Sequence, residues 1–359
     1  MKIAIIGLSN TGKTTIFNAL TGQNIETTVY PTTSGEPHFG IVKVPDLRLE
    51  RLSEIFRPKK TTHATIEYID YIGLTRGDVK QNKKVFDLIK DVDAIVHVVR
   101  AFHDDAVVHP LGAVDPLRDI DTVELELIFG DIELVEKRLK KMEEEKKRGQ
   151  IPDESEKKLL LKCKDSLLKE SALRNVLFNE EEFRTMRHLQ FISTVPMVCV
   201  LNVGEHNLNT GETENLCSTI RSRYPSVSVL VLCGKIEMEI SQLSTDDKKL
   251  FLDDLGLDEP ASNKLIHACY SILGFISFFT YAGDEVKAWT IKKGTNAQKA
   301  AGKVHSDIER GFIRAEAISF ENFISSGSIH AAREKGLLRL EGKTYEVKDG
   351  DIINFRFNI

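Results

Sequence analysis

The chain has 359 residues, 41% of them hydrophobic and 29% charged, enough for two or three domains that each bury a core. Its 49 basic and 54 acidic side chains leave a net charge of −5, which excludes a global basic field and confines any RNA contact to a local patch. Five scattered cysteines (Cys163, Cys199, Cys217, Cys233, Cys269), without a C-x-x-C pair, exclude a disulfide framework or a structural zinc and fit a reducing compartment.

The first residues reach Gly7 too early for a signal peptide and read instead as a strand over Ile3–Ile6. Gly7-Leu8-Ser9-Asn10-Thr11-Gly12-Lys13-Thr14 follows it and matches G-x-x-x-x-G-K-[ST], with a helix-forming run, Thr15–Leu20, behind. Glycines let such a loop wrap closely enough for its N–H groups to meet phosphate oxygens. The cradle runs through Asn10, Thr11, Gly12, Lys13, Thr14 and Thr15; Lys13 supplies charge toward the β- and γ-phosphates, and the Thr14 hydroxyl is a ligand for Mg²⁺.

The next buried strand, Thr65–Asp70, ends in Asp70-Tyr71-Ile72-Gly73, a D-x-x-G turn. Asp70 is placed to hold Mg²⁺ through water, and the Gly73 N–H to meet a γ-phosphate oxygen. A third strand spans Ala94–Val99. Leu125, Ile128, Ile132, Val135, Leu139 and Met142 then step by three and four, a heptad seam that predicts one arm of an antiparallel helical hairpin. Its tip is the turn at Lys146–Asp153, and its second arm runs from Glu154 to about Val176.

A fourth strand, Met197–Leu201, leads into Asn202-Val203-Gly204-Glu205, where GTPases carry N-K-x-D. The Asp of that motif accepts hydrogen bonds from guanine; Glu205 is one methylene longer, which weakens a GTP reading without establishing ATP. A fifth strand, Val227–Leu232, precedes Cys233 on the base side, where a redox role is a weak alternative to packing. Beyond Ile276, short strands at Lys287–Ile291, Gly311–Ile318, Thr344–Val347 and Ile352–Phe357 predict a compact α+β module. No apolar run approaches the ~18 residues of a membrane span, so a cytoplasmic protein without membrane or DNA contact is expected.

These stretches, together with Val286–Ile291 and Ala300–Ala315 near the C-terminus, resemble the YchF/Obg-like ATPases over the whole length of the chain. The resemblance implies an α/β P-loop NTPase G domain (residues 1–120 and 194–275), an inserted α-helical coiled-coil hairpin (121–193) and a C-terminal α+β, ubiquitin-like TGS domain (276–359). It further implies slow ATP hydrolysis with Mg²⁺, base contact through Asn202, Val203 and Glu205 with Cys233 nearby, and association with a ribosome or ribosomal subunit. rRNA contact is expected through the hairpin tip and the TGS surface, where Lys292, Lys293, Lys299 and Lys303 lie. The catalytic set implied is His109, Lys13 and Gly73; the metal set is Thr14, Ser34 and Asp70.

Both switches depart from the family pattern. Gly73-Leu74-Thr75-Arg76-Gly77-Asp78-Val79-Lys80-Gln81-Asn82-Lys83-Lys84 is shorter and lacks most of the usual glycines, which predicts a stiffer or differently shaped loop, and the Mg²⁺-ligating threonine aligns with Ser34, next to Thr33. Hydrolysis is therefore expected to be very slow or conditional. The alternatives are a GTPase of the same fold and a nucleotide-gated binding module with negligible turnover.

Overall fold

The computed structural model describes residues 1–27, 35–151, 153–186 and 188–358. Its strands are, in chain order, β1 (Lys2–Ile6), β2 (His38–Lys43), β3 (Lys60–Thr62), β4 (Thr65–Asp70), β5 (Ala94–Ala101), β6 (Met197–Val203) and β7 (Ser228–Leu232). They continue with β8 (Phe275–Ala282), β9 (Glu285–Lys292), β10 (Phe312–Ser319), β11 (Arg339–Glu341) and β12 (Asp351–Phe357). The helices that carry the functional argument are α1 (Lys13–Thr21), α2 (Leu47–Phe56), α3 (Val79–Ile89), α4 (Pro116–Lys147) and α5 (Glu154–Leu168). The chain divides into two compact units, residues 1–42 with 67–265 and residues 43–66 with 266–359.

The first unit is built on the sheet order β2-β4-β1-β5-β6-β7. β1 lies parallel to β4 and β5, and β6 parallel to β5 and β7. Every residue of β6 is buried, and β5 is buried up to its last residue, as near-continuous apolar runs require of strands covered on both faces. Because these strands run the same way, their C-terminal ends share one edge of the sheet. The loops Gly7–Gly12, Tyr71–Leu74 and Phe102–His109 therefore gather there, as ligand-binding loops do in open parallel sheets.

α4 serves two cores. Asp115 caps it by accepting from the Arg118 N–H, Pro116 opens it, and Lys146 and Lys147 lie in its last turn against the carbonyl end. Ile120, Val123 and Leu127 pack into the sheet core. Ile128, Val135 and Met142 pack instead with Leu160, Cys163 and Leu167 of α5, each fully buried side chain contributing roughly 1.5–3 kcal/mol. The heptad reading started at Leu125, which is only half-buried; the sheet, not the partner helix, selects the buried face there. α5 ends at Leu168, short of the expected Val176, where Glu170 turns to a φ of 56° and breaks the helix.

The second unit is built on the sheet order β11-β10-β12-β8-β9-β3. Residues 43–66, expected in the first α/β part, belong here instead. β3 pairs in parallel with β9, from Lys60 against Glu285 to Thr62 against Lys287. Phe56 of α2 stacks on Tyr281 and Phe323, and the Arg48 guanidinium bonds to both Asp46 and Asp349. The amphipathic pattern of α2 states which face is apolar but not which core receives it, so its partner is settled only by the fold. The expected strand at Thr344–Val347 is a loop whose single bridge joins Glu346 to Asn296, and β11 takes the pairing place beside β10.

Candidate functional site

At the C-terminal edge of the first sheet lies a cleft of about 600 Å³, lined among others by Thr14, Thr15, Asp70, Gly73, Phe102 and Val107. The loop between β1 and α1 forms its floor. Gly12 holds a φ of 91°, and a Cβ there would stand 2.2 Å from the Asn202 Nδ2, so only glycine fits. Asn10 has a φ of 62° and donates from Nδ2 to the Val108 carbonyl at 3.0 Å. Thr11 is buried, with its hydroxyl donating to the Leu8 carbonyl at 3.1 Å.

Lys13 is buried and donates from Nζ to the Leu8 carbonyl at 2.8 Å. Burial pushes its pKa down to about 8, with the Asp70 carboxylate pulling the other way. Thr14, which lines the cleft, donates from Oγ1 to Asp70 Oδ2 at 2.7 Å, which leaves its lone pairs available. Asp70 is 1% exposed, and its Oδ1 is buried without a hydrogen-bond partner. Burial raises the Asp70 pKa above the usual carboxylate range, and Lys13, Thr14 and His38 oppose that rise. His38, at the start of β2, places Nδ1 3.7 Å from Asp70 Oδ2 and lines the same cleft.

The D-x-x-G turn is stitched to the phosphate loop and to α3. The Leu74 N–H donates to the Gly7 carbonyl at 2.9 Å, and the Gly73 carbonyl accepts from Gln81 Nε2 at 2.7 Å. Asn82 bonds both ways with the Thr75 backbone, and Glu126 of α4 receives Asn82 Nδ2 and the Gly77 N–H. These residues brace the loop where the glycines expected in this family are missing. Leu74 is buried in the sheet core, turned away from the cleft.

The structure brings Lys13, Thr14, Thr15, Asp70 and Gly73 together, and parts other expected residues from them. His109 is buried, its Nε2 2.8 Å from Asp119 Oδ2, while its Nδ1 accepts the Leu111 N–H at 3.1 Å. Both ring nitrogens are thus engaged, the ring proton sits on Nε2, and His109 is not among the described residues lining the cleft. The resemblance implied a loop histidine that assists hydrolysis; here the buried Asp119 carboxylate at the start of α4 holds it. Ser34 and Thr33 fall outside the described residues.

On the base side, Asn202 is a lace. Its Nδ2 donates to the Thr11 carbonyl at 2.9 Å, and its Oδ1 accepts the Gly234 N–H at 2.9 Å, tying the phosphate loop to the loop after β7. Val203 is buried at the end of β6, Glu205 is exposed at the start of a single turn, and Cys233 is buried against Ile236, Ile240 and Leu252. None of Asn202, Val203, Glu205 and Cys233 lines the cleft among the described residues.

Sequence reading missed His38, Gln81, Glu126 and Arg100. Arg100 is 2% exposed, donates to the carbonyls of Phe102, Asp104 and Val107, and lies 4.5 Å over the Phe102 ring. It holds the loop whose Phe102, Asp104 and Val107 form one wall of the cleft. A charged residue closing an apolar strand was a readable signal for Arg100, and Gln81 lay within the switch stretch after Gly73; His38 and Glu126 lie outside any motif.

Comparison with known proteins covers the chain. Residues 2–148 match a family described as "50S ribosome-binding GTPase", and residues 275–358 match one described as "Protein of unknown function (DUF933)". The chain is 42% identical to "Ribosome-binding ATPase YchF" of Bacillus subtilis, over 99% of this chain and 98% of that protein. It is 38% identical to the protein of the same name from Escherichia coli O157:H7, over 100% and 99%. The solved "Structure of the Schizosaccharomyces pombe YchF GTPase" superposes with a TM-score of 0.84 at 26% identity, covering 99% of this chain and 97% of that one.

Proposed function

Since the chain belongs to the YchF family, we propose that it binds ATP at the cleft, hydrolyses it slowly and associates with the ribosome in a nucleotide-dependent way. The observation that carries the reading is the convergence of Lys13, Thr14, Asp70 and Gly73 at one strand edge, from two motifs more than fifty residues apart. The curated relatives carry the name ribosome-binding ATPase, whereas the yeast structure is titled a GTPase, so the base is the finer part of the proposal.

The donor set fits a divalent cation. A hydroxyl whose proton is already given to a carboxylate, and a buried carboxylate oxygen without a partner, are the ligand and the outer-shell acceptor that Mg²⁺ takes beside phosphates. Thr14 would hold Mg²⁺ directly and Asp70 through water; when bound, the cation neutralises charge on the β- and γ-phosphate oxygens. The chain's own part is positioning. Lys13 exchanges its bond to the Leu8 carbonyl for phosphate oxygens, the backbone N–H groups of Gly12 to Thr15 face them, and the Gly73 N–H meets the γ-phosphate. Water attack at the γ-phosphorus then breaks its bond to the β–γ bridging oxygen and releases ADP, phosphate and a proton. His109 would accept a proton only by giving up the Leu111 N–H at Nδ1, because Asp119 holds its Nε2.

For ribosome association, Lys140, Lys141, Lys146, Lys147 and Arg148 are exposed toward the hairpin tip, as are Lys292, Lys293, Lys299 and Lys303 in the second unit. Clusters of this kind pair with rRNA phosphates. No helix among the described residues is long and apolar enough to cross a membrane. Single-turnover hydrolysis and salt-dependent cosedimentation with ribosomal subunits, each with ATP and with a non-hydrolysable analogue, test the reading. ATP-dependent pelleting that weakens with salt, and slow hydrolysis lost on K13A, are expected. Pelleting indifferent to nucleotide would remove the gating, and hydrolysis unchanged in K13A would remove the cleft.

A further inference from the structure

We infer that His38 is a positioning residue for Asp70, donating from Nδ1 to Oδ2 so that Oδ1 stays turned toward a divalent cation's water shell. The inference rests on the Mg²⁺–nucleotide reading above and concerns a residue that neither motif contains. A carboxylate can rotate about its Cβ–Cγ bond and exchange its two oxygens, so a single donor does not fix which oxygen faces the ligand. Thr14 supplies one donor, to Oδ2 at 2.7 Å. His38 Nδ1 lies 3.7 Å from that same oxygen, a small ring rotation outside hydrogen-bond range, and is itself buried without a hydrogen-bond partner. The other oxygen, Oδ1, is equally buried and unpartnered. One corner thus holds an unpaired ring nitrogen and an unpaired carboxylate oxygen, and buried polar atoms of this kind are costly unless a partner arrives.

The backbone holds the imidazole there independently of Asp70. β2 approaches α1 closely: a Cβ on Gly40 would stand 2.3 Å from the Thr21 Cγ2 and 3.1 Å from the Phe17 Cζ. That approach brings the His38 ring against Phe17, centroids 6.4 Å apart and tilted by 42°. The ring is aimed by packing on the helix that carries the phosphate loop, and its side chain remains 43% exposed on the cleft side. Residues that orient a metal site's ligands from behind typically change metal affinity 10–100-fold when removed.

The test titrates MgCl₂ against binding of fluorescent N-methylanthraniloyl-ATP to the full chain, in wild type, H38A, H38N and K13A. H38A is expected to need about tenfold more Mg²⁺ for half-maximal tightening, with its Mg²⁺-free affinity unchanged. H38N, whose side-chain amide donates from near the Nδ1 position, is expected to return to within about twofold of wild type. Electron paramagnetic resonance of Mn²⁺ in place of Mg²⁺ reads the same shift without hydrolysis, and thermal melts confirm that both His38 variants fold. Wild-type Mg²⁺ dependence in H38A overturns the inference, as does an H38N as impaired as H38A, which would assign the effect to packing. Binding indifferent to Mg²⁺ in wild type, or unaffected by K13A, overturns the nucleotide reading itself and is recognisable from those two chains alone.

Discussion

Two segments of the first unit, the start of β2 and the loop after β5, each carry a histidine, and they differ in what has already been done with it. His109 is buried with both nitrogens committed, one to Asp119 and one to the Leu111 backbone. His38 opens on the cleft with Nδ1 still unpartnered beside Asp70. The loop of His109 is also held by Arg100 through three backbone carbonyls and by Asn10 from the phosphate loop. The first region is a locked wall and the second an unfinished corner. Residue type and position along the chain do not separate the two; prior hydrogen bonding does.

The largest effect belongs to the unfinished corner. Replacing Lys13 by alanine removes its buried charge from the phosphates, and nucleotide affinity by calorimetry is expected to fall about a hundredfold, the upper end for a charge-assisted hydrogen bond. H109A should act on the fold instead. It leaves the buried Asp119 carboxylate with Arg118 alone and is expected to lower stability by about 2 kcal/mol in a denaturant melt, with hydrolysis per folded molecule unchanged within about twofold. A hydrolysis rate lower by about a hundredfold would make His109 a general base after all.

A smaller effect sharpens the corner's electrostatics. Burial holds Lys13 at about 8; phosphates bind its charged form, so affinity is present below that pH and lost as pH rises through it. About a tenfold loss between pH 7 and pH 9 is expected, with proton uptake on binding visible at pH 8.5 in buffers of different ionisation heat. K13R, which stays charged throughout, should abolish the pH dependence. The smallest effect is on the braced turn: Q81A removes bonds to the Gly73 carbonyl and Thr75 Oγ1 and is expected to change single-turnover hydrolysis by about threefold or less.

The phosphate side of the site was readable because its motifs are local. Gly12, Lys13 and Thr14 lie on one turn, and Asp70 ends a strand whose apolar run marks it, so chain order alone places them at the sheet edge. Contacts between distant segments were not readable. Nothing in Leu47–Phe56 announces that its helix packs in the second unit, and nothing near His109 announces Asp119 as its partner rather than a phosphate. Asn202 shows the intermediate case: its motif was recognised, but its side chain is spent on the Thr11 carbonyl and the Gly234 N–H. A motif asparagine can shape a site by holding its loops together. The braced turn after Gly73 shows a further limit, since the missing glycines were visible but the replacing bonds from Gln81, Asn82 and Glu126 were not.

Calorimetry of the full chain with Mg²⁺, comparing a non-hydrolysable ATP analogue with GTP, tests the central claim most directly. The cleft, with Glu205 exposed where an aspartate would meet guanine, is expected to bind the ATP analogue at least tenfold more tightly, about 1.4 kcal/mol. Equal or preferred binding of GTP would contradict it and assign Asn202-Val203-Gly204-Glu205 to guanine.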